Sequence, residues 1–203
     1  MPSRTHGSKA GTAERTLDIA ERLVQVRGFN AFSYADIATE LGITKATLHY
    51  HFPGKAELGD ALIARYRARF ADALRGIDRE LVGTRAKLDA YVGLYSAVLQ
   101  GDRMCLCGIL AAEYETLPTS MREAIIEFFE DNEAWLTTVV TLGQADGSIS
   151  PTADPAHLSQ MILDGLEGAM LVARAHGGLA RFQSSGRQLL DTLTVSASTT
   201  PER

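Results

Sequence analysis

Apolar residues recur along this chain at intervals of three and four, which lines one face of an α-helix, and show no convincing strand alternation. Residues 12–27 set Leu17, Ala20, Leu23 and Val24 on one face, and Gly28 closes the segment. From 55 to about 82, Leu58, Leu62, Tyr66, Phe70 and Leu74 keep a four-residue period that predicts a long helix. Residues 84–100 follow with Leu88, Tyr91, Val92, Tyr95 and Leu99, and Gly101-Asp102 makes a turn. A short helix is expected at 107–115. A long one from 118 or 119 to about 145 carries Met121, Ile125, Phe128, Trp135, Leu136 and Val139. The run from 146 to 155 is dense in turn residues. Asp154 then caps a helix with Pro155 at its first position, and after Gly177-Gly178 a last helix spans 179–193. The pattern predicts an all-α fold of about nine helices. Residues 1–11 and 194–203, polar and without period, read as flexible tails.

The most specific stretch lies between the first helix and the long one. Ser33 followed by Asp36 is an N-cap with an acid three residues later; Ile37, Ala38 and Leu41 recur at helical spacing, and Gly42 ends the segment. Thr44 caps a second short helix with Leu48 turned to the core, Lys45, Thr47, His49, Tyr50 and His51 on its open face, and Pro53 as its stop. Two short helices joined by a glycine turn describe a helix-turn-helix reader of the DNA major groove.

Composition adds a division of labour. The 203 residues carry a net charge of −5, which alone argues against a nucleic-acid binder. Residues 1–75, however, hold 11 Lys and Arg against 8 Asp and Glu (+3), and residues 76–203 hold 9 against 17 (−8). A mildly basic reading head joined to an acidic module of different task accounts for both. No apolar run approaches the roughly 20 residues that span a bilayer, and no signal segment opens the chain, so a cytoplasmic protein is expected.

The helix ending in R-G-F and the run S-x-x-D-I-A-x-x-L-G-I-T-K-x-T-L-x-Y-H-F-x-x-K-x-x-L resemble the TetR family of transcriptional regulators over residues 12–65. That resemblance implies a DNA-binding domain at 12–60, with its motif at 33–52, and an effector-binding and dimerising domain at 61–193. It further implies a regulator, most simply a repressor released from a palindromic operator by a small molecule. An activator, or a binder without effector, is the alternative. His49 stands where members commonly carry Tyr, and Ala46 where many carry Gly, which keeps the helix close to DNA.

Contacts divide into those that position and those that read. Ser33 and Tyr34, at the start of the first motif helix, are expected to present hydroxyls to a phosphate, and Lys55 to meet a phosphate with its ammonium across the groove. Thr44, Lys45, Ala46, Thr47 and His49 lie in the first turns of the reading helix, with Lys45 suited to guanine and the Thr47 methyl to thymine. Tyr50 and His51 either donate to backbone oxygens or pack or cap the next helix. So few base contacts per subunit call for a homodimer, expected through the last two helices by Met161, Gly165, Gly168, Ala169 and Val172 against Leu179, Phe182, Leu189, Leu190 and Leu193.

Met104-Cys105-Leu106-Cys107-Gly108 is the second unusual feature. Cys105 and Cys107 read as buried small hydrophobes, as metal ligands without further partners nearby, or as thiols that sense electrophiles at a helix start near Arg103. The segment also resembles an electrophile- and acrylate-responsive branch of the same family. Candidate walls of an effector pocket are Tyr66, Tyr91, Tyr95, Tyr114, Phe128, Trp135 and Met161. His49 and His51 fall on different helix faces with no paired carboxylates or nucleophile–base set around them. No enzyme, metal site or cofactor is therefore expected.

Overall fold

The computed structural model describes residues 9–194 as nine α-helices. They are α1 (Lys9–Arg27), α2 (Tyr34–Leu41), α3 (Lys45–His51), α4 (Lys55–Glu80), α5 (Thr84–Gln100), α6 (Leu106–Ala112), α7 (Thr119–Ala145), α8 (Pro155–Ala175) and α9 (Gly178–Leu193). A 3-10 turn, Tyr114–Thr116, follows α6, and an isolated antiparallel bridge joins Ile149 to Thr194. The all-α expectation holds, and eight of the nine helices begin within one residue of their expected starts. The exception is α1, which starts at Lys9, so part of the expected N-terminal tail is helical. Residues 1–8 and 195–203 of the expected tails lie outside the described residues.

The chain gathers into two compact units, residues up to 68 with 106–126, and residues 69–105 with those from 127 on. This grouping differs from a division at residue 60, because the segment after α6 is bonded to the turn after α1. Glu113 accepts the Phe29 backbone N–H at 2.6 Å, and the Asn30 amide donates to the Thr116 hydroxyl at 2.8 Å. Gly28 makes that approach possible. Its φ of +91° is left-handed, and a Cβ there would lie 2.6 Å from Glu113 Oε1.

In the first unit α1 packs on α2, α3 and α6, burying Leu17, Ala20, Leu23 and Val24 as their period demands. Arg65 of α4 ties α1 down: its guanidinium meets Asp18 at 2.8 Å, Glu21 at 2.9 Å and Glu14 at 3.2 Å. In the second unit α5, α8 and α9 pack mutually around Leu88, Tyr91, Tyr95, Leu166, Met170, Phe182 and Leu190. Gly165 and Leu189 meet where α8 and α9 cross, since a Cβ on Gly165 would stand 2.9 Å from Leu189 Cδ2.

Candidate nucleic-acid interface and buried polar cluster

The turn between α2 and α3 is built from local bonds. Asp36 accepts both the N–H and the hydroxyl of Ser33 at 2.7 Å, and these bonds hold its pKa below the usual carboxylate value. Gly42 turns left-handed (φ +66°), and Ile43 N–H reaches Ala38 O at 3.0 Å, closing α2 in a Schellman motif. Thr44 then caps α3 by accepting the Thr47 N–H at 3.2 Å. Leu48 is fully buried and anchors α3, which leaves Lys45, Ala46, His49 and Tyr50 exposed and Thr47 and His51 half-buried. Tyr50, at 67% exposure, is an outward-facing aromatic with no core role to explain it.

His49 is more specialised than its position on the motif implies. Its Nδ1 lies 3.0 Å from Pro53 O, and its ring packs 4.8 Å from that of Tyr34. A carbonyl can only accept, so Nδ1 carries a proton, and in the neutral ring Nε2 is then the acceptor. The bases that offer a donor in the major groove are cytosine and adenine.

Two of the residues expected at phosphates face inward. Tyr34 is buried rather than exposed: its hydroxyl donates between Phe52 O (2.9 Å) and Gly54 O (2.6 Å), tying the start of α2 to the corner after α3. Burial and then the charge of Glu57 push its phenol up to about 12. Lys55 is half-buried; its ammonium donates to Phe32 O at 2.5 Å and sits 4.3 Å and 4.7 Å from the rings of Phe32 and Phe29. Burial lowers its pKa, against the pull of Glu113 and Asp36. Lys55 settles where the turn after α1 offers a carbonyl and ring faces, and Tyr34 where the corner after α3 offers two carbonyls. Ser33 stays exposed, with its hydroxyl engaged by Asp36.

In the second unit the expected pocket residues come together only in part. Tyr91 stacks on Trp135 at 5.4 Å and donates to Asn132 Oδ1 at 3.0 Å, while its oxygen lies 3.3 Å from that of Tyr95. Phe70 presents its edge to Tyr91, Tyr95 and Phe128. Cys105 joins this cluster: its N–H points at Met170 Sδ (3.2 Å), and its side chain hydrogen-bonds Glu167. Tyr66, Cys107 and Tyr114 belong instead to the first unit. Met161 is 54% exposed and is no pocket wall, because α8 turns Ile162, Leu163 and Leu166 inward.

Both thiols are fully buried, and the ionisable group against Cys105 is a carboxyl, not the cation that stabilises a thiolate. Glu167 itself was overlooked in the sequence. Its signal was an acid sharing a helix face with Leu163 and Met170, both buried. Glu113 carried no such signal, since its partner amide is 84 residues away.

Comparison with known proteins covers both units. Residues 16–62 match the family described as bacterial regulatory proteins, tetR family, and residues 84–189 match the tetracyclin repressor-like C-terminal domain. A transcriptional regulator of the TetR family from Agrobacterium tumefaciens superposes with a TM-score of 0.89 at 30% identity, over 93% of this chain and 100% of that one. The transcriptional regulator AcuR of Cereibacter sphaeroides is 29% identical over 156 residues, 73% of this chain and 69% of its own. The transcriptional repressor KstR2 of Rhodococcus jostii is 29% identical over 159 residues, 75% of each.

Proposed function

The chain belongs to the TetR family of bacterial transcriptional regulators, and from that premise we propose that it is a repressor that grips a palindromic operator as a homodimer and lets go when a small molecule binds its C-terminal half. Residues 12–60 serve as the DNA-binding domain and 61–193 as the effector-binding and dimerising one. The observation that carries this reading is α3, pinned by Leu48 and offering Thr44, Lys45, Ala46, Thr47, His49 and Tyr50 on one surface. Lys45 is the donor for guanine O6 and N7, the Thr47 methyl meets thymine, Ala46 admits close approach, and His49 Nε2 accepts from cytosine or adenine. Tyr50 and His51 serve the flanking backbone.

Two copies are needed because one α3 reads only three or four bases. Their contact is assigned to α8 and α9, where Met161, Leu171 and Val172 leave an apolar strip in solvent. Among the described residues no helix is long and apolar enough to cross a membrane.

Repeated selection of random duplex DNA by the full chain should enrich a palindrome with half-sites about one helical turn apart or a little more. Lys45→Ala with Thr47→Ala should then remove preference for that sequence and leave the helical circular dichroism intact. Enrichment of no symmetric sequence would count against the reading.

A further inference from the structure

Glu21 and Glu167 each carry a buried carboxyl oxygen, and their surroundings differ. Glu21 is answered by the Arg65 guanidinium at 2.9 Å. Glu167 keeps part of its stem at the surface, but Oε1 is shut from solvent and has no hydrogen-bond partner. The groups that reach this carboxyl are the Cys105 side chain and the Tyr95 hydroxyl, and no Lys or Arg among the described residues acts on it. Around it the other polar atoms are matched: Tyr91 bonds Asn132 Oδ1, and Asn132 Nδ2 donates to Phe128 O at 2.7 Å. Glu167 Oε1 is thus an open acceptor on a carboxyl bonded to Tyr95, whose ring belongs to an aromatic cluster with Tyr91, Trp135 and Phe182.

We propose that this cluster binds a small organic ammonium, whose N–H group is accepted by Glu167 Oε1 and whose charge faces the rings of Tyr91, Tyr95 and Trp135. This rests on the reading that the C-terminal half takes an effector, and names the chemical class of that effector. A buried acceptor left empty is costly, and a donor that fills it recovers the loss. A cation also supplies the counter-charge that Glu21 has and Glu167 lacks, and the aromatic faces attract it independently. Entry is by way of Trp135, which is only half-buried and held by a single hydrogen bond from Nε1 to Asp78 Oδ2 at 2.9 Å.

Burial raises the Glu167 carboxyl to about 7, opposed by its bonds to Cys105 and Tyr95, and this gives the two competing chemistries opposite signs. The titratable groups facing it are Tyr91 and Tyr95 of α5, whose phenols burial keeps protonated well above pH 7, and the Cys105 thiol ahead of α6. An ammonium needs the ionised carboxylate. A carbonyl ligand needs the protonated acid as donor.

The test uses phenethylammonium and the neutral 3-phenylpropan-1-ol on the full chain. Binding is followed by calorimetry and by the fluorescence of Trp135, the single tryptophan. The ammonium should bind about tenfold more tightly at pH 8 than at pH 6, as the ionised fraction rises from about a tenth to about nine-tenths. Glu167→Gln should weaken it about 10- to 100-fold. Trp135→Leu, which leaves the carboxyl intact, should weaken it a few-fold. Equal binding of the alcohol, tighter binding at pH 6, an unchanged Glu167→Gln variant, or no binding of the ammonium would each overturn the proposal. Operator affinity measured on the same samples separates the two levels. Its presence without ammonium binding sinks only the ligand class, while its absence sinks the regulator reading itself.

Discussion

Lys55→Met separates two roles for one side chain. The substitution keeps the stem and removes an ammonium that donates to Phe32 O at 2.5 Å and lies 4.3 Å from the Phe32 ring. A hydrogen bond from a charged donor is worth about 1.5–3 kcal/mol and each ring contact about 0.5–1. Against this stands the desolvation that burial of the ammonium already costs, visible in its lowered pKa. Because the group is only partly buried, screening keeps the net loss near the low end, about 1–2 kcal/mol. Urea denaturation should therefore show a lower midpoint, and amides in the turn after α1 should exchange faster. The dependence of operator affinity on salt should keep its slope. If Lys55 instead neutralises a phosphate, the slope of log K against log salt falls by about one and the urea midpoint stays put. That outcome would refute the inward-facing role.

Glu167 has a folded pKa raised to about 7 from 4.5, so its contribution to stability is full below pH 4.5 and lost as pH rises through 7. Relative to Glu167→Gln, the native chain should lose up to about 3 kcal/mol between pH 4.5 and pH 8, measured by thermal unfolding across that range. Gly28→Ala places a Cβ at positive φ and 2.6 Å from Glu113 Oε1, and should destabilise the first unit by about 1–2 kcal/mol or more. Adding Glu113→Ala should relieve only the steric part, and full rescue in a double-mutant cycle would deny the backbone strain. Leu171→Glu with Val172→Glu, on the exposed strip of α8, should convert dimer to monomer by light scattering and weaken operator binding while the helical content stays constant.

Helix starts and ends were legible because they are decided within four residues. Asp36 grips Ser33, Ile43 N–H closes on Ala38 O after Gly42, and the Asp154 carboxylate accepts the Ala156 N–H at 2.8 Å. The core was legible for a related reason. Leu48, Leu62 and Leu88 lie on apolar stripes with no other low-energy destination than the interior. The exposed face of α3 followed, since burying Leu48 turns Lys45 and His49 outward. The boundary of α6 was less legible, because the helix stops at Ala112 where Glu113 is drawn to the Phe29 amide.

What the sequence by itself determined is the helical order, the helix-turn-helix head and the family, all properties of local spacing. The tertiary structure decided the fate of polar heads on flexible stems. Lys55 and Tyr34 spend their donors on Phe32, Phe52 and Gly54 carbonyls, and Met161 turns to solvent. Glu167 ends beside Cys105 and Tyr95, each more than sixty residues away, with one oxygen unanswered. Such outcomes depend on which acceptors remote segments bring within three ångströms, and a linear pattern does not carry that information.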